Sequence, residues 1–180
     1  MRTSNCFFFA ALLTLASTGA ALADPSVSMH AAPPPAKPAP ALLASTKPAD
    51  APKTQAIAMV RLAQKYFEKY GLKKTGAAID DPLNKDFHKG NVYAFILNFK
   101  GLMVAHGAAP ALIGRNLYGL KDPDGKYINK DMAHLAQKGG GWYNYRWPNP
   151  STHKIDRKAS FVKKLNQTYF VGAGVYREPK

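Results

Sequence analysis

The chain has 180 residues, 25 Lys and Arg against 11 Asp and Glu for a formal charge of +14, and one cysteine. That length excludes two large domains, and a lone cysteine excludes an internal disulfide, a cysteine-based metal centre and a dithiol redox pair. The positive charge raises nucleic acid as a partner, but the N-terminal residues argue against it.

Residues 1–23 have the pattern of an export signal: Arg2 as the basic start, an apolar stretch over residues 7–15, and Ala21-Leu22-Ala23 as a small-residue cleavage site. Cleavage after Ala23 is expected, placing the product in the periplasm or outside the cell and removing Cys6 with the signal. Nucleic acid then drops out as a partner. Residues 24–53 carry eight prolines among alanines and no aromatic residue, the composition of an extended, disordered linker. One domain is expected over residues 54–178.

Within it, Thr54 is a candidate N-cap, and Met59, Ala63, Tyr66, Phe67 and Tyr70 recur at three-to-four-residue spacing until Gly71, a helix-stop signal. A short second helix over residues 73–79 is stopped by Asp80-Asp81-Pro82, because the residue before proline is pushed out of the helical region. Apolar strands follow at residues 92–97 and 102–106, joined closely enough to form an antiparallel hairpin. Residues 108–126 are loop, broken by Pro110, Gly114, Gly119, Pro123 and Gly125. A helix is predicted over 128–137, then strands at 141–148, 155–165 and 169–176 with turn-forming residues between them. The order gives an α+β domain on one five-stranded antiparallel sheet.

The chemistry-bearing stretch is residues 141–150. On a strand, Tyr143, Tyr145 and Trp147 share one face, and the next strand brings Arg157, Lys158 and Ser160 alongside. A buried cation next to aromatic walls is costly unless an anion meets it. None of the nucleophile, metalloprotease, phosphate-loop or Cys-pair motifs is present, and the five histidines do not fall at metal-ligand spacing on one helix. No catalytic residue, metal set or cofactor is therefore assigned. A hydrolase pairing His106 with a carboxylate is disfavoured because no paired carboxylates or activated nucleophile can be read.

Several motifs in order resemble a single Cache domain of the second type, a PAS-like extracytoplasmic sensor. They are Gly90-Asn91-Val92-Tyr93-Ala94-Phe95, Val104-Ala105-His106, Ile113-Gly114-Arg115-Asn116-Leu117, Asp122-Pro123-Asp124-Gly125-Lys126 and Tyr145-Arg146-Trp147-Pro148-Asn149-Pro150. Lys158-Ala159-Ser160-Phe161-Val162 and Val171-Gly172-Ala173-Gly174-Val175-Tyr176 continue the pattern, which spans residues 55–177. The resemblance implies a pocket for a small ligand, often a short carboxylate. It places Tyr145, Trp147 and Lys158 on the sheet motif and His106 and Arg115 at the hairpin end and following loop; with Tyr143 from the aromatic face, these are the ligand-binding candidates. The family usually has tyrosine at Phe161 and an acid at Asn98, so a ligand hydroxyl and a turn contact are expected to be missing here. The resemblance also implies a long N-terminal helix packed on that sheet, and the function expected is a stand-alone exported module that binds a small organic acid, with a membrane sensor as a candidate partner. The alternative is a basic module that docks on an anionic surface or membrane partner without a small ligand.

Overall fold

A computed structural model describes residues 50–177 of the chain. Residues 1–23, expected to be an export signal, and residues 24–49 of the expected linker lie outside the described residues.

Helix α1 runs Ala51–Asp80 and is broken at Gly71, whose φ of 73° and ψ of 179° lie outside the helical range. The two helical stretches read from the sequence are thus the two halves of α1. Thr75 serves the break by donating its hydroxyl to the Gly71 carbonyl at 2.7 Å. At the other end the helix begins at Ala51, before the expected Thr54 cap. Pro52 stands in the first turn, where a missing N–H costs nothing. Thr54 instead donates back to the Asp50 carbonyl at 3.1 Å. Asp81 leaves the helix with an extended backbone before Pro82.

Strands β1 (His88–Lys89), β2 (Val92–Asn98) and β3 (Met103–His106) come next. A single 3₁₀ turn at Pro110–Leu112 interrupts the long loop, which ends at α2 (Ile128–Gln137). Strands β4 (Gly141–Pro148), β5 (Ile155–Lys164) and β6 (Tyr169–Tyr176) complete the domain. The sheet is antiparallel with six strands, the five expected and the two-residue β1. Its order is β1-β2-β6-β5-β4, with β3 on the same edge of β2 as β1. Asn98 makes the hairpin contact that an acid was expected to supply, its Oδ1 accepting the N–H groups of Lys100 and Leu102 at 3.0 and 2.8 Å.

Alternation along the strands gives the sheet two buried faces. One meets α1: Ala94, Ile96, Ala159, Val171, Ala173 and Val175 pack on Ala56, Met59, Val60 and Ala63. The other meets α2: Phe95, Leu97, Tyr145, Val162 and Phe170 pack on Ile128, Met132, Ala133 and Ala136. Phe161 belongs to the α1 side, packed against Trp142 at 5.4 Å between ring centroids. A tyrosine hydroxyl at that position would therefore not enter the α2 side.

Candidate functional site

The α2 side of the sheet is not wholly apolar. Lys158 on β5 has 2% exposure, and its stem crosses the neighbouring strand β6 at Gly174, where an added Cβ would fall 2.2 Å from Lys158 Cε. Glycine at 174 is what lets the lysine lie flat across the strand. The ammonium then sits 3.6 Å from the Tyr93 ring centroid and 4.9 Å from that of Tyr176. Cation–π attraction offsets part of its desolvation. Among the described residues it has no hydrogen bond and no salt bridge. Burial holds its pKa well below the usual lysine value.

His106, at the end of β3, is 2% exposed and fixed from two directions. The Asp80 carboxylate at the end of α1 accepts its backbone N–H at 2.8 Å. Its ring Nδ1 accepts the N–H groups of Ala108 and Ala109 at 3.2 and 2.8 Å. Since Nδ1 is an acceptor, the neutral ring carries its proton on Nε2. Burial first, and the Lys158 charge second, push the imidazole pKa down to about 3, so the ring is neutral at physiological pH. Tyr145 is 5% exposed and shares a 3.0 Å hydrogen bond with Ser160. Tyr176 donates to the Pro148 carbonyl at 2.6 Å, so the 3.0 Å contact between the two tyrosines is donated by Tyr93.

A cavity of about 10 Å³ lies among these groups, lined by Phe95, Met103, His106, Met132, Tyr145, Trp147 and Lys158, with Ile128 and Asn129. That is room for about one water molecule. Outside it opens a larger cleft of about 550 Å³ between the 3₁₀ turn, the Asp122-Pro123 turn and the end of β4. Trp147 and Ile128 line both spaces and form the wall between them. The arrangement offers an ammonium and neutral donors at one side and apolar carbon at the other, which suits a small anion with a short carbon body. No carboxylate lines the cavity, and Asp80 engages the His106 backbone rather than its ring.

Of the six residues predicted as binding groups, His106, Tyr145, Trp147 and Lys158 come together at this cavity. Tyr143 does not reach it: its hydroxyl donates to Asp131 of α2 at 2.7 Å, tying strand to helix. Arg115 does not line it either. It is exposed in the loop, held only through its backbone, which accepts the Met103 N–H at 2.9 Å and donates to Leu112. Nothing at the surface pays to desolvate its guanidinium. Three participants were missed: Tyr93, Ser160 as the partner of Tyr145, and Gly174. The signal for the last was the alternation of small and apolar residues in Val171-Gly172-Ala173-Gly174-Val175, which leaves the α2 side of β6 bare between Phe170 and Tyr176.

A family model described as a Cache domain matches residues 53–179. Over 85 residues the chain is 36% identical to a sensor histidine kinase of Rhizobium johnstonii, covering 47% of this chain and 18% of that protein. Over 86 residues it is 34% identical to a methyl-accepting chemotaxis protein of Pseudomonas putida, covering 47% of this chain and 16% of that protein. The chain thus spans less than a fifth of the length of these relatives. Among solved structures, it is similar to a methyl-accepting chemotaxis protein from Vibrio parahaemolyticus, with a TM-score of 0.62 at 21% identity over 71% of this chain and 89% of that one. It is also similar to a Cache chemosensory domain described for its carboxylic acid recognition, with a TM-score of 0.56 at 25% identity over 71% of this chain and 88% of that one.

Proposed function

The chain belongs to the Cache domain family, and on that premise we propose that it is an extracytoplasmic sensory module that binds a short monocarboxylate against Lys158. The observation that carries this reading is the buried ammonium of Lys158, which lies among aromatic rings without an anionic partner among the described residues. A buried charge of this kind is costly unless an anion meets it. The relative studied for carboxylic acid recognition supports the choice of anion.

In this reading the carboxylate lies between Lys158 Nζ and the Nε2–H of His106, within reach of the Tyr145 hydroxyl. The carbon body faces Phe95, Met103 and Met132. The cavity as it stands has room for about one water molecule, so any acid has to displace Trp147 toward the outer cleft, and two- and three-carbon acids require the least displacement. Two or three charge-assisted hydrogen bonds, each worth roughly 1.5–3 kcal/mol, less the cost of immobilisation, correspond to micromolar to millimolar dissociation constants. No bond-making step is part of the proposal. Export and a membrane-bound partner sensor remain part of it, as does a domain that begins near residue 53. Among the described residues no helix is long and apolar enough to cross a membrane.

Titration calorimetry of the full chain with acetate, propionate, butyrate and malate tests the reading. Acetate or propionate is expected to bind best, and Lys158→Met to weaken binding by roughly ten- to a hundredfold. No binding by any of the four acids, or equal affinity in Lys158→Met, would overturn it. Raised salt separates this site from surface docking, because a buried ion pair is screened far less than an exposed one.

A further inference from the structure

The face of the β4–β5 ribbon turned away from Lys158 carries a second concentration of positive charge. Arg146 on β4 stands directly opposite Arg157 on β5. Arg177, just past β6, donates its backbone N–H to the Arg157 carbonyl at 3.0 Å. The three arginines therefore form one row across three adjacent chain segments. Directly opposed residues project from the same face, and for Arg157 that face is the one opposite its neighbour Lys158.

The row is not a flat solvated stripe. Arg146, Arg157 and Arg177 line one concavity of about 250 Å³ together with Lys126, Asn144 and Asp124, and it is also bordered by Tyr145 and Lys158, whose side chains belong to the α2 side. The turn that carries Lys126 and Asp124 is anchored there by Asp122, whose carboxylate accepts the backbone N–H groups of Asp124 and Lys126 at 3.0 and 2.9 Å and that of Arg146 at 3.1 Å. Lys126 Nζ is oriented over the strand by a 3.0 Å bond to the Asn144 carbonyl.

Four cationic heads meet two carboxylates, Asp124 in the lining and Asp122 beneath the turn, leaving a formal charge of +2. The one salt bridge among the described residues joins Arg146 to Asp124 at 3.5 Å. Arg146 Nε is buried with no hydrogen-bond partner, and the guanidinium groups of Arg157 and Arg177 have no hydrogen bond or salt bridge among the described residues. Like charges directly opposite one another on a sheet destabilise it, and an orphaned buried donor adds to the cost.

We propose that this row is a binding site for a phosphate group, separate from the cavity at Lys158. Each guanidinium presents five N–H donors in a planar fork and matches phosphate oxygens two at a time. Three such forks exceed what the two oxygens of a carboxylate can accept. A phosphate monoester carries about −1.5 to −2 at neutral pH, which the local +2 accommodates. The phosphate can arrive free in solution or on a lipid headgroup, and both use the same forks.

The experiment measures binding of inorganic phosphate and pyrophosphate to the full chain by calorimetry, and cosedimentation with phosphatidylcholine vesicles with and without phosphatidic acid. Wild type, the double variant Arg157→Ala/Arg177→Ala and Lys158→Met are compared, with citrate as an anion lacking phosphorus. Both arginines of the double variant are exposed and leave the core untouched. The expected result is pyrophosphate or phosphatidic acid binding that falls at least about tenfold in the double variant and is unchanged in Lys158→Met. Binding of the soluble anions alone identifies free phosphate as the ligand, and binding of vesicles alone identifies a headgroup. Absence of both, survival of binding in the double variant, or citrate binding as tightly as pyrophosphate overturns the proposal. Acetate titration of the same double variant keeps the two sites apart, since the Lys158 cavity does not contain either arginine.

Discussion

Strands β2, β5 and β6 contribute alternate residues to two interiors that differ in kind. Toward α1 they send Ala94, Ile96, Ala159, Val171, Ala173 and Val175, whose contacts are carbon on carbon and leave no polar group to satisfy. Toward α2 the same strands send Tyr93, Phe95, Lys158, Ser160 and Tyr176, and there an ammonium and an imidazole N–H have no protein partner among the described residues. Hydrophobic burial on the first side returns its full free energy on folding. The second side leaves donors unpaired, at a cost in stability that the proposed ligand would offset. The difference shows a fold dividing labour across one layer of backbone, with neighbouring residues in the sequence assigned to opposite tasks.

Substitutions that act on one side at a time can break that division. Ile96→Ala, fully buried toward α1, is expected to lose about 2–5 kcal/mol of stability in denaturant melts while the folded fraction keeps its acetate affinity. A parallel loss of affinity would mean that the two interiors are one. Lys158→Met should move stability in the opposite direction, by about 1–4 kcal/mol in favour of folding, while binding falls. A destabilised Lys158→Met protein would show that the lysine serves the core rather than a ligand.

The third test is pH. The folded state holds His106 at about 3 against an ordinary value of 6.5, so the unfolded chain takes up that proton first. This contribution to stability is whole above about pH 6.5 and is lost as pH falls toward 3, with a slope of up to about 1.4 kcal/mol per pH unit. Asp80, raised by burial, works against the slope through its own titration. Comparison with His106→Gln isolates the imidazole: the variant should lose stability less steeply than wild type between pH 6 and 4, and equal slopes would place the proton elsewhere. The smallest effect is expected from Tyr143→Phe, which removes the 2.7 Å bond to Asp131. It should cost about 0.5–1.5 kcal/mol and leave acetate binding as it was; weakened binding would return Tyr143 to the site.

Local signals in the sequence carried the elements well wherever period and punctuation agreed. The α2 bounds of Ile128–Gln137 and the β4 and β6 bounds follow from apolar spacing and the glycine and asparagine residues that close them. The start of α1 was placed late because Pro52 completes a proline-rich run, and a proline in a first helical turn looks the same as one in a linker until tertiary contacts decide. Strand β1 has two residues and no period to detect. In the site, Lys158 and Tyr145 are picked out by the family resemblance, and the register that sets them opposite one another belongs to the folded sheet. Tyr93 is not, since its approach to Lys158 depends on β6 lying between β2 and β5, a pairing across some 80 residues of chain. Arg115 failed for a related reason: a loop fixes no side-chain direction, and its hydrogen bonds run through the backbone alone.

The hydrogen atom that stands in place of a side chain at residue 174 reaches further than its size suggests. Because the lysine stem occupies the space a Cβ would take, the height of the ammonium above the sheet is governed by a strand that contributes no polar group to the cavity. Each methyl added there should lift the charge and shift the boundary between the acids admitted and those refused. Selectivity in this domain would then be tunable by steric increments laid beneath the recognition group, without altering any atom that touches the guest.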